Sequence, residues 1–279
     1  MGIFDNCLLA SDVDGTILAD KFVNPENIKK IEFFMNEGGH FSLSTGRSVT
    51  AVGMVLSKLK KVSPSVVANG CMIYDYENSK SLHEEYIPLE DYEIVKKVSE
   101  LDMNIGIEIH TGERVFTLKR TKVTDNHQIY ENLETTEITF EEVSKLNWNK
   151  AFYALETEQD RVKLNEFLKD FNCGSDFMNT IAFVDGETKY YCEQVPRGVS
   201  KAQAILKLAE ILNIEKGKIF AIGDYFNDIE MLKTADISAA VAGSPDEVAQ
   251  YADYITKRSC EDGAVADFID YLTNKFSAK

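Results

Sequence analysis

Asp12 and Asp14 flank Val13 at the end of the apolar run Cys7-Leu8-Leu9-Ala10-Ser11, and Gly15-Thr16 comes immediately after. A short apolar run ending in glycine reads as a buried strand that enters a tight loop, and a strand's two-residue period sends both carboxylates to one side. Two like charges that close raise the pKa of one of them unless a cation lies between. The pair therefore reads as a shared-proton site or a metal site. Gly15 allows a positive φ and the close approach of a ligand. The same four residues could equally end a strand in an Asx turn, a purely structural use. A calcium loop is set aside, because it places Gly sixth and Glu twelfth after a helix, whereas Gly15 is fourth counting from Asp12 and a strand precedes it.

Three further groups have residue types that would complement such a pair: Thr45-Gly46-Arg47 with Asn69-Gly70, the lone Lys201, and Gly223-Asp224-Tyr225-Phe226-Asn227-Asp228. Each has a bland reading. Thr45-Gly46 makes a turn, Lys201 is a solvated helix lysine, and 224–228 is a capped loop. Their positions relative to the predicted elements carry more. The opening strand is succeeded by a helix from Asn24-Pro25-Glu26 to Gly38-Gly39, a strand through Leu43, a helix bearing Val52, Val55, Leu56 and Leu59, and a strand at 65–68. Alternating strands and helices argue for a doubly wound, Rossmann-like α/β fold with a parallel sheet covered on both faces, where ligands sit at the carboxyl ends of strands. Asp12, Thr45 and Asn69 stand at those ends. Helix 201–212, strand 218–222, helix 229–235, strand 237–241, helix 245–251 and helix 267–276 resume the pattern, with the Asp224 loop again after a strand.

Between these halves the texture changes. Residues 84–194 hold a helix near 92–101, alternating stretches such as Ile105-Gly106-Ile107-Glu108-Ile109-His110, a helix at 159–171 and a hairpin signal at Asp185-Gly186. They read as an inserted α+β domain whose antiparallel strands keep one wet face. The predicted organisation is 1–83 and 195–279 as the core, with 84–194 inserted. Trp148 is assigned to the core of the insertion.

Composition bounds the partners. With 279 residues, two domains are expected. The formal net charge of −16 argues against nucleic acid and favours divalent cations. A phosphate-bearing small molecule remains compatible with a local cation and a few basic side chains. The five cysteines form no Cys-x-x-Cys and the four histidines no metal-ligand spacing, so neither set is assigned chemistry and the cysteines read as buried apolar residues of a reducing compartment. No eighteen-residue apolar run and no basic apolar leader is present, so no membrane partner and a cytoplasmic location are expected.

Taken together, the chain resembles the haloacid dehalogenase (HAD) superfamily of phosphohydrolases, in its Cof-like branch with an α+β cap. The residues that carry the resemblance are Asp12-Val13-Asp14-Gly15-Thr16, Ser44-Thr45-Gly46-Arg47, Asn69-Gly70, Gly198-Val199-Ser200-Lys201, Gly223 to Asp228, and Glu261-Asp262-Gly263. Ala202 and Ala242-Gly243-Ser244 depart from the family pattern without touching a charged position. The resemblance implies an Mg²⁺-dependent phosphatase acting on a small phosphorylated metabolite, such as a sugar phosphate, through an aspartyl-phosphate. It assigns catalysis to Asp12 as nucleophile, Asp14 as acid and base, Thr45 and Lys201. Metal binding falls to Asp12, Asp14 through its carbonyl, Asp224 and Asp228, and phosphate or substrate contacts to Gly46, Arg47, Asn69 and Asn227. A phosphomutase with the same intermediate, and a non-catalytic phosphate-binding signalling module, are the alternatives. A monomer or weak homodimer is expected.

Overall fold

The apolar run before Asp12 forms the strand Leu8–Ser11, buried along its whole length, in a computed structural model that describes residues 2–184 and 186–277. It lies between two parallel neighbours, His40–Leu43 and Ile219–Gly223. Ile237–Ala240 and Tyr254–Ile255 continue the parallel sheet beyond Ile219–Gly223 to five strands. Alternate side chains enter different cores. Leu9, Phe220 and Ile222 pack with Ile31, Phe34 and Phe268 of the helices Pro25–Asn36 and Ala264–Ser277, while Leu8, Ala10 and Ala221 pack with Ile205 and Leu208 of the helix Lys201–Ile211. Burial on both faces is why these strands read as unbroken apolar runs. Asn24 caps the first helix by accepting from Glu26 N at 2.8 Å.

The run at 65–68 does not become a full member of this sheet. Ser65–Val67 touches it through a single bridge from Val66 to Ser44, and otherwise pairs antiparallel with Met72–Asp75, which continues to Lys80–Glu84. The second predicted helix is likewise reduced to Gly53–Leu56, whose start has no side-chain cap.

The chain divides into two compact units: Met1–Gly46, Val52–His83 and Ser200–Lys279 form one, and Arg47–Ala51 with Glu84–Val199 the other. Where the sequence places the second boundary at 194, the strand Glu187–Pro196 carries the second unit further, and Gly198 N then donates to Asp176 Oδ2 at 2.7 Å.

The second unit is built on a six-stranded sheet ordered Thr135–Glu137, Arg114–Lys119, Ile105–Thr111, Lys150–Leu155, Glu187–Pro196, Ser175–Val184. Gly186, at φ +80°, stands in the turn of its last hairpin, and Asp185 lies outside the described residues. One face carries Ile105, Ile107, Ile109 and Tyr153 against Val95, Val98 and Leu164. Trp148 belongs to this core, stacked on Tyr92 with ring centroids 3.6 Å apart and its Nε1 donating to Val143 O.

The opposite face, predicted to be wet, is buried. Glu108 is 0% and His110 3% exposed. The cover is the helix Lys122–Glu131, which turns Val123, Thr124 and His127 inward. Two of those three are polar, so the stripe lacks the hydrophobic period by which a helix is read from sequence. Gly106 is what admits it: a Cβ there would lie 2.2 Å from Thr124 Cγ2.

Candidate active site

Asp12 is the first residue past the opening strand, and its N–H donates to Ile222 O at 2.9 Å. Because the strand stops at Ser11, its period does not extend to Asp14. Asp12 is buried and Asp14 exposed, a correction to the expectation that strand geometry aligns them. The next two residues serve a distant one. Gly15 has φ +79°, and a Cβ on it would lie 2.4 Å from Asp224 Oδ2. Thr16 then donates from Oγ1 to Asp224 Oδ1 at 2.9 Å. The turn after Asp12 thus fixes the carboxylate delivered by the strand Ile219–Gly223.

Lys201 is the first residue of its helix, capped by Ser200, whose hydroxyl accepts from Gln203 N at 3.2 Å. Gly70, at φ +106°, lets the Ser200 carbonyl approach to where a Cβ would meet it at 2.4 Å, so the Asn69-Gly70 turn sets the helix start. Lys201 is 2% exposed and donates from Nζ to Asp12 Oδ1 at 2.5 Å and to Asp228 Oδ1 at 2.7 Å. The other oxygen of Asp228 accepts from the backbone N–H groups of Asp224 and Tyr225, at 3.0 and 3.2 Å.

One ammonium faces three carboxylates here. Asp12, Asp224 and Asp228 each offer an oxygen within 4.8 Å of the others. Burial, then the charge of Asp228, pushes the Asp12 carboxyl well above its ordinary range against the pull of Lys201. Burial and Asp228 likewise raise Asp224 to about 6, opposed by the hydrogen bond from Thr16. For Lys201 burial works against the charge, yet Asp12 and Asp228 outweigh it and hold the ammonium above its usual value. The field reaches Cys260, whose thiol is pushed up to about 12 by burial and then by Asp224, Asp12, Glu261 and Asp14. An all-oxygen donor set with surplus negative charge is what a hard divalent cation neutralises.

The model of the haloacid dehalogenase-like hydrolase family matches residues 9–269. The chain belongs to that family. Among similar proteins, the Bacillus subtilis 5-amino-6-(5-phospho-D-ribitylamino)uracil phosphatase YcsE is 28% identical over 261 residues, covering 92% of each chain. The fold is shared with a haloacid dehalogenase-like hydrolase from Bacteroides thetaiotaomicron, at TM-score 0.81 and 20% identity over 95% of this chain and 99% of that one. The HAD subclass IIB sugar phosphatase BT4131 gives TM-score 0.78 and 16% identity, covering 95% and 98%. This HAD-like chain is accordingly a phosphoric monoester hydrolase, with a parallel α/β core.

Within the HAD-like core, Thr45 is buried, its N–H donating to Val66 O at 3.0 Å while its carbonyl accepts from Asn69 N at 2.9 Å. Gly46 lies against the Asn69 amide, where a Cβ would be 3.0 Å from Nδ2. Asn227 is exposed, in the turn Phe226–Asp228. Arg47 differs: it belongs to the second unit, where it donates to Ala51 O at 3.2 Å and lies over the Tyr130 ring at 5.7 Å. Asp14 is absent from the three-carboxylate group, although its charge contributes to the field at Cys260. The role of Thr16 in holding Asp224 is not readable from the sequence, because a threonine after Asp-Gly has no signal of its own until the partner strand is placed. Among the described residues, no helix is long and apolar enough to cross a membrane.

Proposed function

We propose that this phosphoric monoester hydrolase is an Mg²⁺-dependent phosphatase of small sugar-phosphate-like metabolites that works through an aspartyl-phosphate on Asp12. The observation that carries the reading is the group in which Lys201 bridges Asp12 and Asp228 while Asp224 adds a third carboxylate beside them. Names among its relatives point the same way, one to a phosphoribityl compound and one to sugar phosphates.

Phosphoryl transfer needs an in-line nucleophile, neutralisation of the phosphate oxygens and a proton for the leaving oxygen. Asp12 supplies the nucleophilic oxygen, and the 2.5 Å bond from Lys201 fixes its orientation. Lys201 is a compact cation for Asp12 and the incoming phosphate alike. Asp228, anchored by two backbone N–H groups, holds Lys201 in place. Thr45 and the Gly46 amide bind the transferring phosphoryl group. Asp14, exposed and so open to solvent and leaving group, protonates the departing oxygen and then takes a proton from the attacking water. Asp12, Asp224, the Asp14 carbonyl and, close by, Asp228 would hold the Mg²⁺, which when bound neutralises charge on the phosphate oxygens. The second unit, with Arg47, selects the leaving group.

Free-phosphate release from a panel of phosphate esters, with Mg²⁺ and with chelator, tests the reading. Turnover of sugar phosphates that chelation abolishes is the expected result. Undiminished turnover in chelator overturns the metal assignment, and absence of phosphate release from every ester overturns the phosphatase.

A further inference from the structure

Because the opening strand stops at Ser11, its geometry does not place Asp14, and something else in the first unit must. The contacts of the following segment show what does. Asp14 bridges to Leu18, Gly15 N donates to Leu18 O at 3.0 Å, and Leu18 N donates to Val13 O at 2.9 Å. Leu18 is thus the residue against which the Asp14-Gly15 turn is laid. Leu18–Ala19 in turn pairs antiparallel with Phe22–Val23, with Leu18 opposite Val23 and Ala19 opposite Phe22.

Two strands of two residues each do not hold themselves together in water. Burial of Leu18 and Val23 secures the base of this hairpin, while Phe22 is 51% exposed. The returning strand is fixed by the residue after it. Asn24 uses both ends of its amide: Oδ1 caps the helix Pro25–Asn36, and Nδ2 donates to Glu261 O at 2.7 Å, 237 positions away in the chain. A cap needs only the oxygen. The donation from Nδ2 is an additional tie, made where the hairpin rejoins the core. Asn27, fully buried, makes a second one, its Oδ1 accepting from Ala266 N at 2.9 Å in the first turn of the helix Ala264–Ser277. Between the two tied points Gly263 turns the chain at φ +100°, with both amides beside it.

We propose that Asn24 is a positioning residue: by tying the end of the hairpin to Glu261 it holds Leu18, and through Leu18 the turn that presents Asp14 to the leaving group. The lever is short, because Val23 adjoins Asn24 in the chain and pairs with Leu18. Asp12, paired through its own N–H to Ile222, lies outside it. The proposal rests on the reading of Asp14 as the acid given above.

The test measures kcat/KM, which reports the steps up to departure of the leaving group, for phenyl phosphate and p-nitrophenyl phosphate in the wild type, Asp14→Asn and Asn24→Ser. The two esters have similar outlines, but phenolate is the more basic leaving group and gains more from an acid. Serine caps a helix as well as asparagine does and is too short to reach Glu261, so the variant removes the tie and spares the cap. Asp14→Asn should raise the preference for the nitrophenyl ester by at least about tenfold. Asn24→Ser should raise it by about fivefold, through misplacement of the same acid, and leave the nitrophenyl ester within about twofold of the wild type. Asn24→Ala, which loses the cap as well, should unfold at lower denaturant than Asn24→Ser yet shift the preference no further. A preference that instead follows stability is the mark of a merely structural asparagine and overturns the proposal. An unchanged preference in Asn24→Ser beside a shifted one in Asp14→Asn also overturns it. Unchanged preferences in both remove Asp14 as the acid, and the proposal falls with it, as it does if the wild type cleaves neither ester. Amide hydrogen exchange gives a readout free of turnover: Gly15 N–H should exchange about tenfold faster in Asn24→Ser, while Leu9 and Ala221 of the sheet keep their rates. Unchanged exchange at Gly15, or equal acceleration in the sheet, overturns the tie. Should Asn24→Ser fail to fold, Asn24→Asp keeps the cap, loses the donor and takes its place in both measurements.

Discussion

Each unit buries a cluster of ionisable side chains, and the two clusters differ in their balance. In the first, Lys201 answers Asp12 and Asp228 while Asp224 adds a third carboxylate. In the second, Lys150, His127 and Arg47 stand with Glu193, Glu108 and Glu131. An unbalanced buried cluster is destabilising until something of opposite charge arrives, whereas a balanced one is costly only when a member is removed. The first is therefore built for a ligand. The second is a closed frame; among the described residues its unbonded buried side-chain atoms are the ring nitrogens of His110.

The sharpest way to break this contrast is Asp12→Asn. Turnover should fall by at least about four orders of magnitude, which is more than about 5 kcal/mol of barrier, as judged by steady-state phosphate release. Stability should move the other way. An acid whose folded pKa is raised costs stability as pH rises through the window between its unfolded and folded values, so the metal-free variant should unfold at higher denaturant than the wild type at neutral pH. A near-normal rate would remove the nucleophile, and a destabilised variant would mean the cluster is not overcharged.

Lys150→Met is the counterpart in the second unit. Removing one member of a buried pair typically costs about 3–5 kcal/mol, to be read from urea unfolding. If Lys150→Met is as stable as the wild type, the balanced frame is an illusion of geometry.

Thr16→Val sharpens the first half. It deletes the 2.9 Å bond to Asp224 and leaves the carboxylates in place. Groups that orient a metal ligand are typically worth about 10–100-fold in affinity or activity, so the Mg²⁺ concentration for half-maximal rate should rise by a factor in that range. An unchanged requirement would show that Asp224 needs no orientation.

A further contrast is in pH. His127 is raised to about 10 in the fold, so its stabilisation is complete below its unfolded value near 6.5 and declines as pH rises towards 10, by at most about 1.4 kcal/mol per unit. Glu131, held near 2, keeps its contribution above its unfolded value near 4.5 and loses it only in acid. Stability of His127→Gln should therefore lack the wild type's decline between pH 7 and 10. Parallel pH curves would place the charge elsewhere.

The first cluster was legible in the sequence because its parts are small and typed. Asp12 and Asp224 come just past strand ends, with Gly15 and Gly223 near them, Asp228 follows four residues after Asp224, and Lys201 comes directly after a serine cap. The second was not. Glu108 and His110 occupy the polar positions of an alternating strand, which normally face water, and the covering helix presents Thr124 and His127 where apolar residues would announce it. Gly106, whose missing Cβ lets that helix descend, resembles any strand glycine until its partner is known. The same logic explains Ser65–Val67: an apolar triplet is compatible with either sheet, and pairing with Met72–Asp75 decides it.

The pairing of Leu8 with Ile219 has a consequence for the order of folding. Lys201 reaches Asp12 across 189 positions of chain, so no nascent chain can assemble this buried group before its last third has begun to be made. The second unit is nearly continuous and pays no such loop-closure entropy. On the ribosome it should become protease-resistant first, while the opening strand waits with an exposed apolar edge for its partner. A chain cut short before Asp228 would then carry a folded second unit while the group of Asp12, Lys201 and Asp228 is still incomplete.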